Sequence, residues 1–288
     1  MKIIDVLKDN NCTVSCELFP PKAGSELQRA HEIVKQTADL KPSFISVTYG
    51  AGGTASDNTV DIANEIQNVN KVTALAHLTC VCSNREQIRA MLADLKAHNI
   101  SNILALRGDI PQGFTQNQNN DLHHASDLIG EIKQLGDFCV GGACYPEGHP
   151  ESDSLQKDIE GVKIKVESGC DFLTTQMFFD NNILYNYMFR LLKNQIDVPI
   201  IAGIMPVINK NQIKRICSMS GTALPPRFKA IIDQFGENPK AMKQAGIAYA
   251  TEQIIDLIAN GVPNIHIYTM NQPDIAGSIM NNLSEIFI

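Results

Sequence analysis

The feature that most constrains this chain is an alternation: short β-rich runs are separated, along the whole length, by segments of helical periodicity. The strand candidates are 13–19 (TVSCELF), 44–49 (FISVTY), 73–80 (TALAHLTC) and 102–107 (NILALR). They continue at 138–145 (FCVGGACY), 172–179 (FLTTQMFF), 199–205 (PIIAGIM) and 264–270 (NIHIYTM). Amphipathic segments occupy 25–40, 57–68, 84–98, 125–135, 153–168, 182–194 and 273–286. Strands that alternate with helices pair in parallel through right-handed crossovers. Eight such units within 288 residues predict an α/β chain folded as a (β/α)8 TIM barrel. An open doubly wound sheet is the alternative topology.

One connection breaks the rhythm. Nearly sixty residues separate strands seven and eight and carry three helix-like segments. Two of these open on proline, at Pro225-Pro226 and at Pro239 behind an Asn238 cap, as first helical turns allow. The prediction is extra helices between strands 7 and 8, within a single catalytic barrel domain spanning 1–288. The polar stretch Gln112 to His124 after strand four reads either as a disordered insert or as a lid.

Composition narrows the class. With 44% hydrophobic and 19% charged residues the chain builds a large core and is not disordered. A net charge of −7 without basic clusters excludes a nucleic-acid surface. No apolar run approaches the roughly 20 residues of a membrane span. Asp5 interrupts any signal-peptide core, so a cytoplasmic location is expected. The cysteines at 12, 16, 80, 82, 139, 144, 170 and 217 form no C-x-x-C pair, so neither disulfides nor a metal site is expected.

In a barrel, alternate strand residues face the lumen, and active sites form at the C-terminal strand ends. Strand one divides into apolar Val14, Cys16, Leu18 and polar Thr13, Ser15, Glu17. The apolar set belongs under the helices, which turns Glu17 inward. The same parity opposes Ile45 and Val47 to Ser46 and Thr48, Ala76 and Leu78 to His77 and Thr79, and Leu173 and Met177 to Thr174 and Gln176. Polar groups thus converge on one end. Burial raises a carboxyl pKa, which suits Glu17 to general acid work; the alternative is a buried carboxylate held by an arginine or lysine. Tyr49-Gly50-Ala51-Gly52-Gly53 lets backbone approach a ligand but lacks the dinucleotide-binding glycine spacing. Arg107-Gly108-Asp109 reads as a ligand-facing turn or as a local ion pair. Tyr145-Pro146-Glu147-Gly148-His149-Pro150 offers too few spaced donors for a metal. Asp158, Lys163 and Lys165 read first as a solvated helix face.

Taken in order, several stretches resemble the methylenetetrahydrofolate reductase family over residues 13 to 272. They are Cys16–Lys22 (CELFPPK), Ser46–Ala51 (SVTYGA), Ala76–Cys80 (AHLTC), Ala105–Asp109 (ALRGD) and Ala125–Leu128 (ASDL). The series continues with Tyr145–Pro150 (YPEGHP), Thr175–Asp180 (TQMFFD), Gly203–Val207 (GIMPV) and Tyr268–Asn271 (YTMN). The resemblance implies non-covalent FAD, with NADH or NADPH and a reduced folate alternating at the flavin. It implies that Glu17 is the general acid opening the ring of 5,10-methylenetetrahydrofolate, and that Asp109 stabilises the resulting cation. It places Thr48, Tyr49, Ala51, His77, Arg107, Gly108, Asp109, His124 and Ala125 at the FAD or pyridine nucleotide. Tyr145, His149, Ser152, Asp158 and Lys165 join them, with Lys165 now facing cofactor phosphates. Gln176, Gln212 and Gln272 fall at folate-binding positions. Self-association is also implied.

Three departures stand out. Gln272 replaces a customary Arg or Lys, which leaves the folate glutamate tail to weaker binding or to another residue. Thr54-Ala55-Ser56-Asp57 lacks the arginine of the family's Ser-Thr-Arg-Asp. His124 stands where an aromatic occurs. A chain ending near the last barrel helix is expected to lack an appended regulatory domain. The rival reading is a flavin-free reduced-folate-binding barrel of a methyltransferase. A phosphosugar barrel would need a Schiff-base lysine or Gly-rich phosphate loop near strands seven and eight, and neither is evident.

Overall fold

The computed structural model describes residues 1–21, 27–49, 56–110 and 122–287. Eight parallel strands close into a barrel in sequence order: β1 (Thr13–Leu18), β2 (Phe44–Val47), β3 (Ala74–Thr79), β4 (Asn102–Leu106), β5 (Cys139–Cys144), β6 (Phe172–Thr175), β7 (Ile200–Ile204) and β8 (Asn264–Tyr268). The seam is made by β1 against β8, from Thr13 opposite Asn264 to Glu17 opposite Tyr268. Closure removes sheet edges, so the open-sheet alternative is ruled out.

The helices are α1 (Ile3–Asp9), α2 (Leu27–Asp39), α3 (Ser56–Asn64) with a π-helical turn at Glu65–Val69, α4 (Arg85–Ala97), α5 (Ala125–Leu135), α6 (Leu155–Glu167) and α7 (Asn181–Lys193). Between β7 and β8 run α8 (Lys210–Ser220), α9 (Pro226–Phe235) and α10 (Pro239–Ala259), and α11 (Pro273–Asn282) follows β8. Asn238 caps α10 as its sequence indicates, accepting from Ala241 N at 3.2 Å. No helix among the described residues is long and apolar enough to cross a membrane.

Strand parity sorts the core into two layers. Val14, Cys16, Leu18, Ile45, Val47, Ala76 and Leu78 pack outward beneath the helices. Phe44, Leu75, Leu104, Cys139, Phe172 and Ile201 fill the lower lumen. Ile3 and Leu7 of α1 press into that lower layer from the N-terminal end. The Asn102 carboxamide fastens them: Oδ1 accepts from Ile3 N at 2.8 Å, while Nδ2 donates to Met1 O and Ala74 O. Helix α1 is not evident from the sequence pattern. Its seven residues are too few to display a helical period, although Ile3, Val6 and Leu7 hold the i, i+3, i+4 spacing.

Strand six is shorter than the apolar run 172–179 suggests. The chain leaves the sheet after Thr175, and Met177 and Phe179 join a separate cluster with Val207, Ile213, Phe228, Ile232 and Met242. Phe228 stacks on Phe179 at 5.1 Å and on Tyr249 at 4.1 Å. Tyr249 Oη and Gln253 Nε2 donate to the backbone oxygens of Phe179 and Phe178. The inserted helices therefore have their own small core, built on the exit of β6.

Candidate active site

At the C-terminal strand ends lies a cavity of about 1090 Å³. Its floor is built on the β1–β8 seam. Glu17 is only 8% exposed. Its Oε2 lies 3.7 Å from His77 Nε2 and 4.0 Å from His266 Nε2. Two imidazoles thus face the acid, not the arginine or lysine weighed above. His266 is held on both nitrogens: Nδ1 contacts Ser15 Oγ at 2.7 Å and Nε2 contacts Ser46 Oγ at 3.2 Å. Ser15 Oγ also reaches Ile265 O, at 3.0 Å. The ring also stacks near Phe44, 5.9 Å away and 13° from parallel.

The exit of β1 is pinned from β8. Thr269 Oγ1 donates to Glu17 O at 2.6 Å, and the Asn271 carboxamide bonds both N and O of Phe19. Met270 and Asn271 do this in the left-handed region, at φ 52° and 57°. Non-glycine residues there store strain, a cost that clusters at functional sites.

Burial pulls the His77 imidazole down to about 4 from 6.5, with Glu17 opposing the shift. An unfolded histidine takes up its proton near pH 6.5, whereas the folded protein withholds it until about pH 4. Between these values the unfolded chain binds more protons, so stability is full above pH 6.5 and falls as pH drops towards 4. Equilibrium unfolding across this window checks the assignment: His77→Gln is expected to flatten the decline. Equal slopes in variant and parent would place its origin elsewhere.

The wall of the cavity is charged. Arg107 reaches across from β4 to grip Glu151 in the loop after β5, with contacts of 2.5 and 2.8 Å. Asp109 instead stands exposed at the rim, so the local Arg107–Asp109 pair is not formed. Gly108 between them has φ +87°, and a Cβ there would lie 3.0 Å from Thr79 Cβ and Val81 Cγ1. Tyr145 meets His149 edge-on at 4.6 Å. Lys165 Nζ donates to Ala143 O at 2.8 Å, and burial lowers its pKa, against Cys144 and Asp158. Burial raises Asp158, with Lys165 opposing. Lys165 is therefore a cavity group, not part of a solvated helix face.

Thr48, Tyr49, His124, Ala125 and Ser152 also line the cavity, as does Gln176 beyond β6. Ala51 lies outside the described residues. Gln212 and Gln272 are not among the lining residues. Gln212 sits in the first turn of α8, its N–H donating to Asn209 Oδ1, and Gln272 is the N-cap residue of α11. Sequence reasoning missed Glu151 and His266. Strand parity carried into β8 would have found His266, because it shares a face with Asn264 and Tyr268. Nothing local announces Glu151, which is defined by a partner 44 positions away.

Lumen polarity of this kind has no structural need; an acid buried between two imidazoles at the catalytic end of a barrel defines a barrel enzyme. Residues 2–284 match the methylenetetrahydrofolate reductase family, and the chain belongs to that family of oxidoreductases. It is similar to the 5,10-methylenetetrahydrofolate reductases of Pectobacterium carotovorum subsp. carotovorum and Escherichia coli K12. Each is 34% identical over 270 residues, covering 94% of this chain and 89% or 90% of the relative. It is also similar to methylenetetrahydrofolate reductase (NADH) 1 of Arabidopsis thaliana, 34% identical over 304 residues; the match spans 99% of this chain but about half (51%) of the plant protein. Among solved structures, an uncharacterized Clostridium thermocellum protein that binds two copies of 5-methyl-5,6,7,8-tetrahydrofolic acid shares the fold. Its TM-score is 0.70 at 14% identity, covering 99% of this chain and 100% of that one.

Proposed function

We propose that this protein reduces 5,10-methylenetetrahydrofolate to 5-methyltetrahydrofolate, taking electrons from NADH or NADPH through FAD in a ping-pong cycle. The observation that carries this reading is Glu17, an acid buried on the floor of a cavity large enough for cofactor and substrate together. At about 1090 Å³ the cavity reaches past the roughly 300–1,000 Å³ usual for ligand pockets.

The residues fit a flavin dinucleotide. Lys165 and Arg107 offer cations to a diphosphate, and Ala125 and Ser126 bring the N-terminus of α5 to the same wall. Two buried polar atoms of cavity-lining residues, His77 Nε2 and Asp158 Oδ2, have no protein hydrogen-bond partner among the described residues, which leaves that capacity to cofactor groups. FAD, when bound, supplies the hydride chemistry. Glu17 gives its proton to the folate ring nitrogen as the five-membered ring opens. Asp109 places negative charge against the cation so formed. Gln176 hydrogen-bonds the pterin and, in the other half-reaction, the nicotinamide.

Anaerobic titration tests this reading. NADH or NADPH should bleach the bound flavin, and methylenetetrahydrofolate should restore its colour. A colourless protein that takes up no FAD would remove it. Gln212 and Gln272 are assigned to the outer part of the folate. Gln272→Arg is expected to lower the folate KM by supplying a cation for the glutamate tail, and an unchanged KM would refute that contact.

A further inference from the structure

Three buried polar atoms of cavity-lining residues have no protein hydrogen-bond partner among the described residues: His77 Nε2, Asp158 Oδ2 and Thr174 Oγ1. The first two occupy positions already given to the cofactor. Thr174 has no role in that scheme. It is 5% exposed, on β6, and shares the lumen-facing parity of Phe172 below it and Gln176 above it. Its neighbour Thr175 shows what the sheet ordinarily does with such a side chain: Oγ1 of Thr175 accepts from Gly203 N at 2.9 Å. Thr174 instead faces the cavity. Across the strand pair it stands opposite Ala143, whose carbonyl oxygen holds Lys165 Nζ.

A buried hydroxyl without a partner costs stability, and valine fills the same space without that cost. The hydroxyl is explained if a ligand satisfies it. We propose that Thr174 is a flavin-binding residue whose hydroxyl hydrogen-bonds a polar atom of the bound FAD. The resident cofactor is favoured over the exchanging substrates because Thr174 lies deep in the lumen, beside the Lys165 wall. This rests on the flavin reading above.

The test compares wild type, Thr174→Val and Thr174→Ser, each freed of flavin. FAD affinity is measured by quenching of flavin fluorescence, and the melting temperature is recorded with and without FAD. Thr174→Val is expected to bind FAD about three- to tenfold more weakly, the worth of one neutral hydrogen bond. Its flavin-free melting temperature should equal or exceed that of wild type, while Thr174→Ser restores most of the affinity. A hydroxyl serving only the fold gives the opposite pattern, a lower flavin-free melting temperature with unchanged affinity, and overturns the proposal. Unchanged FAD affinity with a raised folate KM also overturns it, by moving the hydroxyl to the folate. If wild type itself takes up no FAD, the flavin reading fails. If wild type binds FAD and Thr174→Val binds it equally well, only the Thr174 assignment falls.

Discussion

Under the flavin-dependent function proposed above, replacing Glu17 by glutamine is expected to leave FAD bound and reducible by NAD(P)H, yet slow folate reduction by about 10²–10⁴-fold, the usual contribution of general acid catalysis. The substitution keeps the size and hydrogen-bonding reach of the side chain, so the His77 and His266 environment should survive it. What disappears is the carboxyl group to which the proposal gives the acid role. Separating the half-reactions by anaerobic stopped flow is therefore decisive: the flavin-reduction trace should be near normal and the reoxidation trace slow. Folate turnover within about threefold of wild type would take the acid role away from Glu17. A loss shared equally by both half-reactions would point instead to a collapsed floor.

The second large effect concerns stability. Gly246 lies within α10, where alanine is the better helix former by about 1 kcal/mol. Sterics overrule propensity here, because an added Cβ would stand 1.8 Å from Val207 O and 2.7 Å from its carbonyl carbon. Backbone cannot rotate aside as a side chain can. Overpacking typically costs about 1–3 kcal/mol and sometimes more. Gly246→Ala is expected to lose about 2 kcal/mol net and to melt roughly 4–8 °C lower, given about 2–4 °C per kcal/mol for domains approaching this size. Gly130→Ala in α5 is the control, since a Cβ there meets nothing within 4 Å. It should gain about 0.5–1 kcal/mol. If both variants melt above wild type, α10 is not pressed against the exit of β7.

Most of the barrel was legible because its signals are periodic and local. Alternation on β1, β2, β3 and β6 separated wall from lumen, and the two prolines at Pro226 and Pro239 marked helices of the insertion. Features that depend on distant partners were not legible. Helix α1 is too short to show a period and is held by Asn102, about a hundred positions away. The end of β6 is set by Phe228 and Tyr249 of the insertion, which draw Met177 and Phe179 out of the sheet's run. Arg107 could not be matched to Glu151 from spacing, because its nearest acid in sequence, Asp109, points to the rim. The ordered motifs carried the cofactor and folate assignments, and strand parity by itself stopped at an acid in a barrel mouth.

The β1–β8 seam also has a consequence in time. Ser15 to Ile265, Ser15 to His266 and Thr269 to Glu17 join positions 250, 251 and 252 residues apart. The environment of the acid, begun by His77 of β3, is thus completed only when the last strand of the barrel joins the first. A nascent chain that has made seven strands still lacks His266 and the Thr269 hydrogen bond to Glu17 O, however well its helices are packed. Contacts this remote in sequence form only after a large loop-closure cost has been met. Onset of activity during synthesis or refolding should therefore lag the appearance of helical signal and mark the moment the two ends of the barrel meet.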